Sequence, residues 1–430
     1  MLRESSDQSF AAGRPEIWRA EGFLAELRRK TVDLPGVTRA SYGEGEQVAH
    51  DMARAWAQEL DLVVETDFAG NLYMTLPGRD RSLPRVMMGS HMDSVPHGGN
   101  YDGAAGVVAG LTALQRIQRI GAKPRRDVTV MAIRAEELSW FPAPYIGSRA
   151  AFGILPAQVL DEVVRFDTGQ SLGAHLARLG YDPESIRGGK RYLDPKGIHA
   201  YIEVHIEQGP QLVQSKQRCA VVTRIRGNYR YKHCRVLGEY AHAGAMPRVD
   251  RRDALLAAVE FVRALDAMWL RREQASEDLV CTVGQFYTDA AMHTITKIPG
   301  EVRFTMDFRS DDEAVLAACH AELEAQAARI SRERGVSVEL GERTHAPVAV
   351  MDEALVALAQ RCSQRLAIDA PRMASGAGHD CAIFAKQGVP SVMIFIRNFH
   401  SSHNPKEEMV LEDFAEATRV LDAMLDELGA

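Results

Sequence analysis

Short apolar runs in this chain stop at histidine and carboxylate side chains, and this pattern restricts the folds available to it. One run precedes His91 and Asp93, and another precedes the adjacent pair Glu136 and Glu137. Apolar runs of this length are typical of strands that are buried on both faces of a parallel sheet. The polar residues that follow such strands collect at one edge of the sheet. The pattern therefore predicts a fold whose reactive groups lie where strands end.

Strand and helix patterns alternate on both sides of a central segment. Such alternation predicts an α/β fold with a mostly parallel sheet, in which sites form beyond the carboxyl ends of the strands. The predicted helices cover residues 44–62, 103–120 and 380–386, and the predicted strands cover residues 63–76 (two strands), 86–90, 127–134, 201–205 and 389–396.

The central segment has a different order of elements. Its patterns read strand, helix, strand, strand, helix, strand, which is typical of a small α+β unit. The predicted elements are residues 229–237, 253–269, 279–286, 302–308, 311–334 and 336–340. We therefore predict an inserted α+β domain at residues 218–344, within a larger domain formed by residues 1–217 and 345–430.

Composition and charge exclude several classes of protein. The 430 residues carry a formal net charge of −7, with Lys and Arg scattered along the chain, whereas a nucleic-acid surface needs a basic stripe. No stretch approaches the roughly 20 apolar residues of a membrane span, and residues 1–15 lack the apolar run of a secretory signal. We therefore expect a cytoplasmic protein with a small-molecule partner and neither a nucleic acid nor a membrane.

The polar residues at the strand ends have the chemistry of a metal site. His91 and Asp93 share one face of an extended segment, so Asp93 can orient the imidazole while His91 binds metal. Asp102 follows a glycine pair and can point to the same place. Glu136 and Glu137 point to opposite sides, so one can bind metal while the other faces the substrate water. Each motif alone also fits a structural histidine or a solvated edge, but their joint occurrence favours a metal site.

Several motifs resemble those of one enzyme family. They are GSHMDSV with NYDGAAGV, the Glu136–Glu137 pair before GSR, HIEQGP, AHAGAMP followed by RRDAL, SGAGHD and SHNP. In this order they are similar to the motifs of the hydantoinase/carbamoylase family amidases, which include N-carbamoyl-L-amino-acid hydrolases, allantoate amidohydrolase and β-ureidopropionase. That family belongs to the two-zinc carboxypeptidase and aminoacylase superfamily, so the resemblance implies a catalytic domain of zinc-aminopeptidase type.

The resemblance implies two divalent cations per subunit, and the nitrogen and oxygen ligands suit either Zn²⁺ or Mn²⁺. Asp102 would bridge the two ions. The implied ligands are His91, Asp102 and His205 for one ion and Asp102, Glu137 and His403 for the other. A histidine at position 205 favours the amidase branch, because the exopeptidase relatives typically have a carboxylate there.

The resemblance also implies roles in catalysis and assembly. Glu136 would be the general base and then the general acid, and Asp93 would support His91. The inserted domain would be both a lid and the surface of a homodimer. His242, in the AHAG motif, would reach the active site of the neighbouring subunit and stabilise the oxyanion.

Substrate contacts follow from the same matching motifs. Gln208 would contact the ureido or amide group, and Arg309 would bind the substrate carboxylate through its planar fork. His379 would support binding, and Gly376 and Gly378 would allow the backbone to approach the ligand.

The chain departs from the family pattern at other expected substrate contacts. His293 and Thr296 stand where relatives usually carry two asparagines, and Leu138-Ser139-Trp140 follows the glutamate pair. Trp140 would add bulk and an indole N–H near the site. These departures leave the identity of the substrate open.

We therefore expect a metal-dependent amidohydrolase that cleaves the C–N bond of an N-carbamoyl (ureido) amino acid or a related ureido acid. One alternative is an aminoacylase or dipeptidase that uses the same two-metal site on a simple amide. Another is a metal-stabilised binding protein without turnover, although the presence of Glu136 beside a full ligand set argues against it.

Overall fold

The structure, a computed structural model, describes residues 15–429. The N-terminal segment on which the expectation of no secretory signal depends lies outside these residues, except for Pro15. The chain forms two units, one comprising Met1–Thr223 with Val350–Ala430 and the other comprising Arg224–Ala349. Within the described part of the chain, none of the helices is both long enough and apolar enough to cross a membrane.

The first part of the large unit alternates strands and helices. Its elements are α1 (Pro15–Thr31), β1 (Val32–Asp33), β2 (Gly36–Val37), α2 (Glu44–Glu59), β3 (Val63–Thr66), β4 (Leu72–Leu76), β5 (Arg85–His91), α3 (Ala104–Arg119), β6 (Val128–Ile133), α4 (Ile146–Ala151), α5 (Val159–Glu162), α6 (Leu172–Arg178), α7 (Pro183–Arg187), β7 (Ile198–Ile206), α8 (Gln211–Ser215) and β8 (Cys219–Ile225).

The small unit follows, and the chain then returns to the large unit. The small unit contains β9 (Gly227–Leu237), β10 (Ala241–His242), α9 (Ala254–Gln274), β11 (Val280–Thr288), β12 (Lys297–Ile298), β13 (Glu301–Ser310), α10 (Glu313–Arg334), β14 (Ser337–Glu339) and β15 (Arg343–Ala346). The remaining elements are β16 (Ala349–Val350), α11 (Glu353–Arg365), β17 (Arg372–Ser375), α12 (Cys381–Lys386), β18 (Ser391–Ile396), β19 (Asn398–Phe399), β20 (Glu408–Met409) and α13 (Leu411–Glu427).

A nine-stranded sheet forms the centre of the large unit. Its strand order is β16-β8-β18-β7-β5-β6-β4-β3, and β17 also pairs with β8. The four central strands β18, β7, β5 and β6 are parallel, whereas β8, β4 and β3 are antiparallel to their neighbours. Every residue of β6 and of β18 is buried, as expected for strands covered on both faces. The predicted α/β fold with a mostly parallel core is confirmed.

The parallel core brings four strand ends to one edge. His91 is the last residue of β5 and lies beside Ile133, the last residue of β6. On the other side, His205 of β7 lies beside Phe395 of β18. Helix α3 starts directly after Asp102 and packs against β5 and β7. Its small residues, among them Gly106 and Gly110, leave room for that close packing. This edge is where the candidate site forms.

The small unit is an antiparallel sheet with two helices. Its strand order is β11-β13-β9-β14, with β15 also paired to β9. Alternate residues of β13 are buried and pack with α9 and α10 around Phe261, Phe304 and Phe308. The inserted domain was expected to start at residue 218. Strand β8, which begins just after that position, pairs with β18 of the large sheet and not with a strand of the small unit. Residues 219–223 therefore belong to the large sheet.

Candidate metal centre

Three buried side chains form the first cluster at the carboxyl edge of the large sheet. The Nε2 atom of His205 lies 3.2 Å from Asp102 Oδ1, and the Nε2 atom of His91 lies 3.5 Å from the same oxygen. The two Nε2 atoms are 3.4 Å apart. Imidazole nitrogens and a carboxylate oxygen at one point are the donor set of a zinc or manganese site.

The outer nitrogens of both imidazoles are already engaged. The Nδ1 atom of His205 lies 2.8 Å from the Ile206 carbonyl oxygen, and that of His91 lies 3.2 Å from the Asp93 carbonyl oxygen. Because a carbonyl only accepts hydrogen bonds, Nδ1 carries the proton in the neutral ring and Nε2 presents a lone pair to Asp102. Among the described residues, Asp102 Oδ1 has no hydrogen-bond partner although it is buried. These atoms fit a cation.

The electrostatics of the first cluster also favour positive charge. Burial lowers the pKa of His91, but hydrogen bonds to Asp102 and Asp93 outweigh that effect, so the pKa lies well above its usual value. The pKa of His205 is raised for the same reason, mainly by Asp102. The carboxylates therefore require either protons on the imidazoles or a cation between them.

A second cluster shares Asp102 with the first. The Nε2 atom of His403 lies 3.3 Å from Asp102 Oδ2 and 3.3 Å from Glu137 Oε1. The neighbouring carboxylates of Asp102 and Glu137 raise the pKa of His403 to about 11. Glu137 Oε1 is buried and has no hydrogen-bond partner in the described part of the chain. The two oxygens of Asp102 thus face two clusters, as the carboxylate that bridges two ions must.

A sharp turn separates the roles of the two adjacent glutamates. Ala135, directly before them, has a left-handed backbone with φ 51°, and the amides of Glu136 and Glu137 both donate to the Asp93 carboxylate. The side chain of Glu136 takes part in neither cluster, and its Oε2 atom lies 3.9 Å from His91 Nε2. Burial raises the pKa of Glu136 well above its usual value. It is a carboxylate beside the clusters that remains able to take a proton.

A glycine makes room for the His91 ring. Gly103 has φ +69°, and a Cβ at this position would lie 2.5 Å from the ring. Its amide also donates to His205 Nε2 over 3.2 Å. The turn between Asp102 and α3 therefore depends on a residue without a side chain.

A third group of possible ligands has its atoms occupied by other partners. Glu203 accepts hydrogen bonds of 2.8 Å from the Ser90 hydroxyl and from the Cys381 amide. His379 Nε2 is 2.8 Å from the Ser375 hydroxyl, and its ring meets His205 edge-on at 4.5 Å between centroids. His379 therefore packs against a ring of the first cluster, and both His379 and Glu203 have hydrogen-bond partners of their own.

Other expected substrate contacts also lie in the large unit. Gln208 Nε2 donates to Asp102 Oδ2 over 2.8 Å, and its buried Oε1 has no partner among residues 15–429. Trp140 is buried and its indole N–H donates to the Ser94 carbonyl over 2.6 Å, so this N–H is committed to the protein. Gly376 and Gly378 lie in the loop before α12, where Gly378 packs against the Tyr145 hydroxyl.

The remaining expected residues lie in the small unit. The exposed His242 accepts hydrogen bonds at Nδ1 from the Gly244 and Ala245 amides, so its proton is on Nε2 and points outward as a donor. Thr296 lines a cavity of about 280 Å³ with His242.

Two further residues of the small unit are held by local partners. The Nδ1 atom of His293 lies 2.7 Å from the Thr288 hydroxyl. On β13, Arg309 pairs with Asp307 at 3.2 Å, and Arg230 pairs with the same carboxylate at 2.8 Å. The guanidinium of Arg309 is therefore oriented by a carboxylate on its own strand.

The structure adds residues that the motifs alone do not identify. Ser41 donates to Asp93 over 2.6 Å, and the fully buried Arg39 donates to the Met92 carbonyl over 2.8 Å. Ser402 and Glu407 contact Asp102. A carboxylate four residues after a candidate histidine ligand, as Glu407 is, was the available signal in the sequence.

Several known proteins are similar to this chain over most of its length. Residues 87–427 match the model of peptidase family M20/M25/M40. The chain is 32% identical to an N-carbamoyl-L-amino-acid amidohydrolase of Pseudomonas sp. (strain NS671), over 91% of this chain and 93% of the relative. It is 33% identical to the allantoate amidohydrolase of Escherichia coli K12, over 84% of this chain and 86% of the relative.

A solved structure gives the same result. An amidase of the hydantoinase/carbamoylase family from Burkholderia multivorans superimposes with a TM-score of 0.86 at 30% identity, covering 96% of this chain and 98% of that one. With an M20 fold, two clusters that share a bridging carboxylate and these relatives, the chain belongs to the hydantoinase/carbamoylase family of amidases within peptidase family M20.

Proposed function

We propose that this protein is a two-metal amidohydrolase that cleaves the C–N bond of an N-carbamoyl amino acid or a related ureido acid. The observation that carries the proposal is the sharing of Asp102 by two clusters, with Glu136 left outside both. The names of the relatives specify N-carbamoyl-L-amino acids and allantoate. Both are ureido compounds with a carboxylate, so we infer that this chain takes a substrate of that class.

The residues of the large unit would have separate roles in hydrolysis. His91, Asp102 and His205 would hold one ion, and Asp102, Glu137 and His403 the other. When bound, the two cations would supply the Lewis acidity that lowers the pKa of the attacking water. Glu136 takes the proton of that water and passes it to the leaving nitrogen. Burial raises the pKa of Glu136, which suits a group that must both accept and return a proton.

Three polar side chains would bind the substrate. Gln208 has a buried amide oxygen that needs a donor, and a ureido N–H is such a donor. Arg309 would take the carboxylate, since its fork is already oriented by Asp307. His242 would donate from Nε2 to the oxyanion that forms at the carbonyl.

We further propose that the protein is a homodimer assembled through the small unit. Helix α9 exposes three apolar side chains on one face, Leu256, Val259 and Leu270. The edge strand β11 exposes Phe286 and Tyr287. A second copy of the same unit would bury both features through a symmetric contact, and would bring a partner His242 to each active site.

A panel of substrates tests this function directly. The metal-stripped protein, reloaded with Zn²⁺ or Mn²⁺, is assayed on N-carbamoyl amino acids, allantoate, N-acetyl amino acids and dipeptides. The proposal predicts release of ammonia and carbon dioxide from ureido substrates, and loss of that activity after chelation. Turnover of only the simple amides would identify an aminoacylase or dipeptidase instead. Turnover that survives complete metal removal would refute the two-metal mechanism.

A further inference from the structure

Glu407 is a buried carboxylate beside the metal centre that the proposed mechanism does not use. It is 3% exposed. Its Oε1 atom accepts hydrogen bonds from the backbone amides of Tyr101 at 2.8 Å and Asp102 at 3.2 Å. A carboxylate that receives two backbone amides fixes the course of the main chain at that point. Here the fixed segment is the one that carries the bridging carboxylate.

The other oxygen of Glu407 reaches the side chain of Asp102 through a serine. The Ser402 hydroxyl lies 2.6 Å from Glu407 Oε2 and 2.5 Å from Asp102 Oδ2. Asp102 Oδ2 is the oxygen that faces His403 at 3.3 Å. Glu407 and Ser402 therefore hold both the backbone of Asp102 and the oxygen that serves the second cluster.

The loop that carries His403 needs such an anchor. His400, Ser401 and His403 all have left-handed backbone conformations, with φ between 58° and 64°, which cost free energy in residues other than glycine. The side chain of His403 is 51% exposed, so burial does little to fix it. Ser402 lies within this strained stretch and Glu407 lies at its end.

Close packing on the opposite side supports the same role. A Cβ at Gly99 would lie 2.1 Å from the carboxyl carbon of Glu407, so the segment before Asp102 rests directly on this side chain. No ion is required for any of these contacts. These contacts position Asp102 and His403 before any ion binds.

We propose that Glu407 and Ser402 are positioning residues that tie the His403 loop to Asp102 and thereby set the affinity of the second metal site. The inference rests on the proposed two-metal function. The first cluster shares Asp102 but also has His91 and His205, which lie on β5 and β7, so it depends less on this tie. Loss of either residue is expected to weaken the second site more than the first, by roughly 10- to 100-fold as for other residues that orient a metal ligand.

Metal titration tests the proposal independently of turnover. The full-length chain and the variants S402A, E407A and E408A are stripped and titrated with Co²⁺, with ion content and the visible Co²⁺ spectrum as readouts. Glu408 is the matched control, because it is the adjacent glutamate and its side chain is 63% exposed. We expect two ions per subunit in the unchanged chain and in E408A. In S402A and E407A we expect the affinity of the second ion to fall by much more than that of the first.

The outcomes separate this inference from the proposed function. Two ions bound by S402A with the affinity of the unchanged chain would overturn the positioning role. Fewer than two ions in the unchanged chain would overturn the proposed function itself. If E407A does not fold, as judged by circular dichroism, S402A decides alone. If both fold, the double variant should lose little more affinity than either single one, because both act through one tie; fully additive losses would contradict it.

Discussion

At the scale of single residues, the site depends on how neighbouring side chains are separated. Glu136 and Glu137 are adjacent, yet only Glu137 joins a cluster. The left-handed Ala135 and the two amide bonds to Asp93 turn the backbone so that one carboxylate contacts His403 and the other remains outside. The difference between the proposed ligand Glu137 and the proposed base Glu136 therefore comes from backbone direction and not from residue type.

Because Glu136 lies outside both clusters, removal of its charge should affect catalysis but not metal binding. Glu136→Gln should keep both metal ions and lose about 10²- to 10⁴-fold in kcat, because the amide cannot accept the proton. Metal analysis and steady-state kinetics on the same preparation check this. A kcat equal to that of the unchanged enzyme would rule out Glu136 as the base.

Arg309 gives a second prediction at this scale. Arg309→Met should raise KM for a ureido acid by 10-fold or more, since a charged bidentate contact is worth about 1.5–3 kcal/mol, and should leave the metal content unchanged. The corresponding substrate amide, which lacks the carboxylate, should be turned over equally by both proteins. Arg303→Met on the same strand is the control, because that side chain is 57% exposed. An equal loss for acid and amide would contradict the carboxylate contact.

At the scale of elements, two strand ends and one helix start produce the first cluster, and the end of β6 leads to Glu137 of the second. Strands β5, β6 and β7 are parallel neighbours, so their carboxyl ends meet at one edge. Helix α3 begins there only because Gly103 adopts φ +69° beside the His91 ring. The tight passage from Asp102 into α3 is thus a structural requirement of the site.

Two glycines with the same positive φ allow this requirement to be tested. Gly103→Ala and Gly121→Ala both place a Cβ at φ +69°; Gly121→Ala should lose about 1–2 kcal/mol of unfolding free energy, and Gly103→Ala should lose more. Only at Gly103 would the Cβ meet the His91 ring, whereas nothing lies within 4 Å at Gly121. Denaturant unfolding and metal titration should therefore show weaker metal binding in Gly103→Ala alone. Equal metal binding by the two variants would show that the contact with the ring is unimportant.

At the scale of the whole molecule, the residues that we propose for the reaction belong to two units. The large unit contains the candidate metal centre, and the small unit, with its own core, contains His242, Thr296 and Arg309. The proposed dimer through the small unit would let each subunit complete the site of its partner. The assembly would then be part of the catalytic machinery.

Mixing two inactive variants tests whether His242 acts on the partner subunit. Glu136→Gln and His242→Ala should each be inactive as homodimers. After dissociation and reassembly at equal concentration, half of the dimers are mixed and each has one intact site, so about a quarter of the original activity should return. Activity that stays absent although mixed dimers form, as measured with differently tagged subunits, would show that His242 acts within its own subunit.

The local patterns in the sequence predicted much of the fold. The periodicity of apolar residues predicted β5, α3, β6, β7 and β18 close to their observed limits, because burial on one or two faces imposes a fixed spacing. The same patterns leave out α1, α11 and α13. They also do not separate β8 from β9, which are joined through Arg226 but pair in different sheets. Which sheet a strand joins depends on partners distant in sequence.

The sequence by itself determined the family, the order of the central strands and the donor types of the candidate metal centre, because motif residues and hydrophobic spacing are local properties. Its resemblance to the family implied that Asp102 bridges two ions, but only the tertiary structure showed that Ser402 and Glu407 contact Asp102. The residues concerned are far apart along the chain, with 300 positions between the numbers of Ser402 and Asp102 and 52 between those of Ser41 and Asp93. Such contacts arise when the parallel strands bring their ends to one edge, and no local pattern records them.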